Sequence, residues 1–334
     1  MSFELFIRQQ SSRIDEVISS YYEKGETPDI GLYLYEPLSS YSANGGKRHR
    51  PLICELACGA VGGNPDLASS AAAAIEHFHT AALIHDDIAD ESTVRRGNPC
   101  LHLTQGEGLA INVGDLALSL VTGSVLHDPR LDDKTKIRVL NELVLMTTRT
   151  IEGQALDIGW ARDGRFDLTI EDYLVMATRK TAYYSGGTPL AVGAIIGGGT
   201  EEQIEGLRSF GMACGLAFQI QDDLLNLIGS KEALGKDFRS DITEGKRTLI
   251  AVHALRHSPQ SSELAAILSS HTTAPTMLSC AVEIMQDAGS FDFARDYAIG
   301  LVNKAKAGLA GILPESESKK LLLSMAEFFI IRMN

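Results

Sequence analysis

Asp86, Asp87 and Asp90 stand together in the run HDDIAD. On a helix Asp86 and Asp90 are one turn apart and share a face, with Asp87 beside them. Like charges at that spacing cost free energy unless a cation offsets them. The residues just upstream, Ala81, Ala82, Leu83 and Ile84, are apolar, so the cluster ends a hydrophobic helix. A second cluster, Asp222-Asp223-Leu224-Leu225-Asn226, follows the apolar run GMACGLAFQIQ in the same arrangement. One such cluster alone reads as a solvated helix end. Two at one spacing, each abutting an apolar helix, predict carboxylates on opposite walls of a cleft. Hard oxygen ligands of this kind suit Mg²⁺, which takes one or two carboxylates and fills its shell with water and substrate phosphates.

Cations gather near the first cluster. GGKRHRP places Lys47 and Arg50 next to Gly45 and Gly46, which allow close backbone approach. Arg95 and Arg96 follow the Asp run in STVRRG. Arg offers a planar fork suited to diphosphate oxygens and Lys a mobile point charge. A lone Lys or Arg is ordinarily a solvated surface charge; the neighbouring Gly turns and Asp cluster favour anion binding. His77, His79 and His85 invite a zinc reading, but a spacing of six between the last two is not a helical turn, and paired Asp fits Mg²⁺ better.

The formal charge of the 334-residue chain is −13, which argues against nucleic acid as a partner. An anionic substrate then needs local cations or metal to overcome the protein's own field. Hydrophobic residues make up 44%, ample for a core, and 22% charge with 10 prolines excludes a disordered chain. Five cysteines form no CxxC pair and read as core hydrophobes in a reducing compartment. The first residues are amphipathic and lack the apolar stretch of a signal peptide, and no run of about 18 apolar residues is seen. A cytoplasmic protein without a transmembrane segment is expected.

The elements that must position these groups are helical. Ala-rich residues 65–90 are apolar on most faces and predict a helix buried in a bundle. Helical patterns also cover 105–127, 131–159, 169–196, 201–229, 291–312 and the tail beginning KKLLL. Gly186-Gly187 and Gly197-Gly198-Gly199 read as bends or helix ends. No GxGxxG follows a strand. The fold class is all-α, a single large helical bundle spanning residues 1–334.

Together these motifs resemble the trans-isoprenyl diphosphate synthases, from about Tyr41 to Lys246. The family's Gly-Gly-Lys-x-x-Arg-Pro element appears as Gly45, Gly46, Lys47, Arg50 and Pro51. Its first Asp-rich helix appears as IEHFHTAALIHDDIAD, and its Arg pair as Arg95 and Arg96. Gly153, Gln154 and Asp157 match Gly-Gln-x-x-Asp, and Lys180 and Thr181 match Lys-Thr. Phe218, Gln219, Asp222 and Asp223 match Phe-Gln-x-x-Asp-Asp. Gly235, Lys236, Asp241, Glu244, Gly245 and Lys246 complete the series. Asn226 stands where Asp is commoner, and Arg239 where many members have Gly.

The resemblance implies that Asp86, Asp90 and Asp222 bind the metal, about three Mg²⁺ ions with Mn²⁺ able to substitute. Arg95, Lys180 and Lys236 then hold the allylic diphosphate. Gly46, Lys47, Arg50, His79 and Arg96 hold isopentenyl diphosphate without metal. Lys180, Thr181 and Gln219 face the allylic cation. Asp87, Asp223, Asn226, Asp241, Gln154, Asp157 and Lys246 support these groups. A deep central cavity in the bundle and a homodimer are implied by the same resemblance. The activity implied is condensation of isopentenyl diphosphate with an allylic diphosphate.

Product length is read from the helix before Asp86. Ala82 and Ala81 lie about 6–7 Å back along its axis, where an aromatic residue often blocks relatives that stop at farnesyl diphosphate. Phe78, about 12 Å from Asp86, is the candidate floor, which predicts geranylgeranyl diphosphate. Longer-chain and farnesyl synthases are the alternatives. A class I terpene cyclase would need Ser or Thr at 226 and Glu at 230, where Asn226 and Ser230 stand. A non-catalytic subunit would have degraded Asp motifs, and both are intact.

Overall fold

The computed structural model describes residues 2–229 and 238–331. In chain order its helices are α1 Phe3–Ser19, α2 Pro28–Ile30, α3 Glu36–Ala43, α4 His49–Ala60 and α5 Ser69–Ala89. A hairpin of β1 Val94–Arg95 and β2 Asn98–Pro99 follows, then α6 Leu101–Gln105, α7 Glu107–Leu126 and α8 Asp133–Arg162. Next come α9 Ile170–Ala177, a π-helix at Thr178–Gly187, α10 Thr188–Ile196 and α11 Glu201–Ile228. The described residues continue with α12 Ser240–Thr243, α13 Leu249–His257, α14 Ser261–Ser269, α15 Pro275–Asp287, α16 Ser290–Leu309 and α17 Glu317–Ile331. The all-α expectation holds, with the two-residue strands the only sheet among the described residues.

The chain divides into two compact units. Unit one holds residues 1–147, 186–208 and 309–325; unit two holds 148–185, 209–308 and 326–334. In unit one α5 packs against α7, α4 and α1. Small residues make this possible: Ala71 to Ala74 are all fully buried. Ser2 caps α1 by accepting from Leu5 N–H, and α1 buries Phe3, Ile7, Ile14 and Ile18. Each such side chain is worth about 1.5–3 kcal/mol of burial. The hairpin turns at Arg96 (φ 52°) and Gly97 (φ 80°), the backbone a two-residue turn requires.

In unit two a reciprocal Thr169–Asp172 capping box starts α9. Helix α13 packs on α9, α14 and α15. Tyr173 of α9 and Leu249 and Ile250 of α13 are buried.

Two expectations are corrected. Gly186-Gly187 does not break the chain, because the π-helix runs through it into α10; only Gly197 and Gly198 (φ 76°) end that helix. Helix α7 is long and apolar enough to cross a membrane by length and composition, contrary to the expectation that no such run exists. The small residues and scattered polar ones in its sequence hide that length. Its Val113, Ala117 and Val121 are buried, and it packs against α5, as a core helix does.

Candidate active site

In unit one the first Asp cluster ends α5. Asp86 and Asp90 keep accessible surface, while Asp87 is 1% exposed. Tyr41 Oη donates to Asp87 Oδ2 at 2.8 Å, and Arg95 Nε donates to Asp87 Oδ1 at 2.7 Å. Arg95 also lies 4.0 Å from Asp86. The guanidinium is raised in pKa by Asp87 against the opposing effect of burial. Asp87 is thus occupied as an anchor for Arg95, leaving Asp86 and Asp90 as the carboxylates presented to solvent.

The next hairpin residue reaches a different partner. Arg96 donates through Nη1 to the Gly45 carbonyl. Gly45 and Gly46 have φ of 91° and 144°, and a Cβ on Gly46 would stand 3.1 Å from the Arg96 guanidinium. Lys47 is exposed and Arg50 nearly buried. Burial first, and then Arg50 and Arg96, hold His79 well below the usual histidine range, so its ring is neutral. Burial and the crowding of Arg48 and Arg50 also lower Arg96. This set of cations around a Gly turn has the chemistry to hold an anion.

Unit two repeats the Asp pattern. Asp222 is exposed and Asp223 buried. Tyr173 Oη donates to Asp223 Oδ2 at 2.9 Å and Gln219 Nε2 to Asp223 Oδ1 at 2.7 Å. Thr181 Oγ1 donates to Gln219 Oε1 at 2.5 Å, joining two expected site residues in one chain of bonds. Lys180 Nζ pairs with Asp157 Oδ2 at 2.5 Å. Against its burial, Lys180 and Lys246 keep Asp157 below the usual carboxylate range. The Lys-Thr element sits in the π-helix, a form frequent at functional sites. It approaches α8 so closely that a Cβ on Gly153 would lie 2.1 Å from the Lys180 nitrogen. Only glycine fits there, which explains the Gly of the Gly-Gln-x-x-Asp element. Gln154 follows it on α8, half-buried.

The two departures have structural roles. Asn226 donates to Ser240 Oγ at 3.1 Å and accepts from the Asp241 N–H at 3.3 Å. Its neutral amide ties the end of α11 to the first residues of α12. Arg239 has φ 62°, a left-handed conformation that glycine adopts without strain. Its guanidinium lies over the Phe238 ring and donates to Ser279 Oγ at 2.8 Å. Lys246 pairs with Glu244. Lys236 and Gly235 lie outside the described residues.

The donors fit a hard divalent cation. Burial, with Asp222 and Asp157 nearby, pushes Asp223 up to about 6, and burial pushes Asp241 up to about 8 with Asp223 and Glu244 adding to it. That crowding of carboxylates is a field that a cation relieves. Among the described residues no group of three His, Cys, Asp or Glu forms a cage, and Mg²⁺ does not need one when phosphates complete its shell.

The zinc alternative fails on geometry. His77 is buried against Tyr21 and Tyr22, at centroid distances of 5.7 and 5.4 Å. His85 turns to α7, with Nε2 3.4 Å from the Ile111 carbonyl and 3.5 Å from Asp115. His79 alone joins the cations. The two chain-length alanines also differ. Ala81 is fully buried with Leu38, Tyr41, Ile84, Val113 and Ala117, while Ala82 keeps accessible surface. Successive residues stand about 100° apart on a helix, so both cannot line one path. Phe78 is 2% exposed.

The sequence model of the polyprenyl synthetase family matches residues 32–285. The chain belongs to this family. A short chain isoprenyl diphosphate synthase of Methanothermobacter thermautotrophicus is 38% identical over 322 residues, covering 96% of this chain and 94% of that one. The geranylgeranyl pyrophosphate synthetase structure from Pyrococcus horikoshii has a TM-score of 0.89 at 34% identity, covering 98% of each chain. A geranylgeranyl pyrophosphate synthase from Corynebacterium glutamicum, solved with isoprenyl diphosphate and magnesium, has a TM-score of 0.86 at 28% identity, covering 99% of this chain and 98% of that one. Within this polyprenyl synthetase, motif reading missed Tyr41 and Tyr173. Each lies far in sequence from the Asp it serves, and tyrosine carries no motif of its own.

Proposed function

We propose that this chain is a trans-prenyltransferase that condenses isopentenyl diphosphate with an allylic diphosphate, with geranylgeranyl diphosphate as product. The observation that carries this reading is the split between neighbouring hairpin residues. Arg95 engages the carboxylate set and Arg96 the Gly45–Gly46 turn. Unit one thus holds a carboxylate set suited to a metal-bound diphosphate and a cation set suited to a metal-free one. A terpene cyclase uses one diphosphate and has no need of the second set.

Asp86, Asp90 and Asp222 are the residues proposed to hold the divalent metal, Mg²⁺ in about three ions or Mn²⁺ in its place. When bound, it neutralises charge that develops on the departing diphosphate. Arg95, with Lys180 and Lys236, binds the same diphosphate. The allylic carbon–oxygen bond breaks and its electron pair leaves with diphosphate. The Lys180 carbonyl, Thr181 hydroxyl and Gln219 amide oxygen stabilise the allylic cation. Gly46, Lys47, Arg50, Arg96 and neutral His79 hold isopentenyl diphosphate, whose alkene attacks the cation. A proton then leaves the new cation for the released diphosphate. The reaction requires that water, which would quench the cation, be kept out.

We also propose a homodimer, supported by the exposed aliphatic side chains Ile111, Ile137 and Val144 of unit one. Sedimentation at micromolar protein tests this. The activity test mixes the purified chain with Mg²⁺, isopentenyl diphosphate and geranyl or farnesyl diphosphate. Linear geranylgeranyl diphosphate is the expected product. A cyclic hydrocarbon, or no condensation, overturns the reading.

A further inference from the structure

Arg48 lies between two cations of the Gly45–Pro51 element, Lys47 in the loop and Arg50 in the first turn of α4, and its sequence position suggests a third ligand for anions. Its backbone rules this out. Arg48 has φ 48°, in the left-handed region, and its side chain turns inward until the residue is 4% exposed. There it meets three different helices. Nε donates to Asp15 Oδ1 of α1 at 2.7 Å, Nη1 to Glu76 Oε1 of α5 at 2.6 Å, and Nη2 to the Ser42 carbonyl of α3 at 2.5 Å.

The opposite side of the same loop is held by Arg96 on the Gly45 carbonyl. Glycines at 45 and 46 leave this segment conformationally free, so something must fix it before Lys47 can face a diphosphate. A guanidinium fork with three acceptors in fixed directions does this better than an ammonium could. Glu76 also stands one helical turn before His79 on α5, so one peg registers the loop against the helix that carries another anion-site residue.

We infer that Arg48 is a positioning residue for the isopentenyl diphosphate site, and that through Asp15 the first helix helps set that site's affinity. This rests on the reading of the Gly46–Arg50 segment as that site.

The test is steady-state kinetics with each substrate varied in turn. Arg48→Gly removes the fork and relaxes the left-handed backbone. It is expected to raise KM for isopentenyl diphosphate about tenfold, with KM for the allylic substrate and kcat within about twofold. Arg48→Lys, able to serve one acceptor, falls between. Asp15→Asn guards against misfolding of the Arg48 variants, because Asp15 is half-exposed; it is expected to raise the same KM about threefold. Lys47→Ala is the control on the underlying reading. If it raises KM for isopentenyl diphosphate while Asp15→Asn and folded Arg48→Gly do not, the positioning role is wrong. Equal rises in both KM values, or a fall in kcat alone, also overturn it. If Lys47→Ala itself leaves that KM unchanged, the loop is not the isopentenyl diphosphate site and this inference falls with it.

Discussion

The Tyr41 hydroxyl donates to the buried Asp87 carboxylate at 2.8 Å, across 46 residues of chain. Asp87 in turn orients Arg95, so the second Asp of the motif serves the protein and the first serves solvent. Tyr173 and Asp223 repeat the relation in unit two.

Removing this donor leaves a buried carboxylate short of a partner. Tyr41→Phe should cost about 1–3 kcal/mol of stability. It should also lower kcat more than it raises either KM, because the proposed role of Arg95 is to act on charge that grows in the transition state. Urea titration and kinetics measure the two effects. Unchanged stability and turnover would remove Tyr41 from the site.

The residues proposed as metal ligands should behave differently. Asp86→Ala and Asp222→Ala remove accessible carboxylates and should leave the fold intact while turnover drops by roughly 10²-fold or more. Chelation should abolish activity, and Mg²⁺ or Mn²⁺ should restore it. Near-normal turnover by Asp86→Ala would refute the assignment.

Acid should destabilise the protein partly through His77. Burial holds its ring down to about 3 in the folded chain, against an ordinary value of 6.5. Below 6.5 the unfolded chain therefore binds the extra proton. Stability from this residue falls as pH drops from about 6.5 toward 3, by about 1.4 kcal/mol per pH unit. His77→Phe keeps a ring against Tyr21 and Tyr22 and removes the titration. Urea midpoints of both proteins between about pH 7 and 5 should diverge by that slope. Parallel curves would mean that His77 is protonated when folded.

For product length, Phe78→Ala should yield chains longer than geranylgeranyl and Ala82→Phe shorter ones, read by chromatography of the dephosphorylated products. Ala81→Phe should instead cost about 1–3 kcal/mol by overpacking the α5–α7 core. An unchanged product distribution from active Phe78→Ala would place the floor elsewhere.

The helices and the two Asp clusters were legible from sequence because both are local. Apolar spacing marks a helix over a few turns, and Asp86 and Asp90 share a face by helical geometry alone. The Lys47, Arg50, Arg95 and Arg96 set was legible because these cations lie beside Gly turns and an Asp run. Only the tertiary structure decided what each neighbour does. Asp87 and Asp223 acquire tyrosines 46 and 50 residues distant. Three nearby histidines go to three surroundings because they stand on different faces of α5, and each face meets a different part of the chain. Arg48, between two anion-site residues, turns inward because one left-handed φ reverses its direction. Residue spacing specifies a face of a helix, but the partner across that face comes from elsewhere in the chain and exists only once the helices pack.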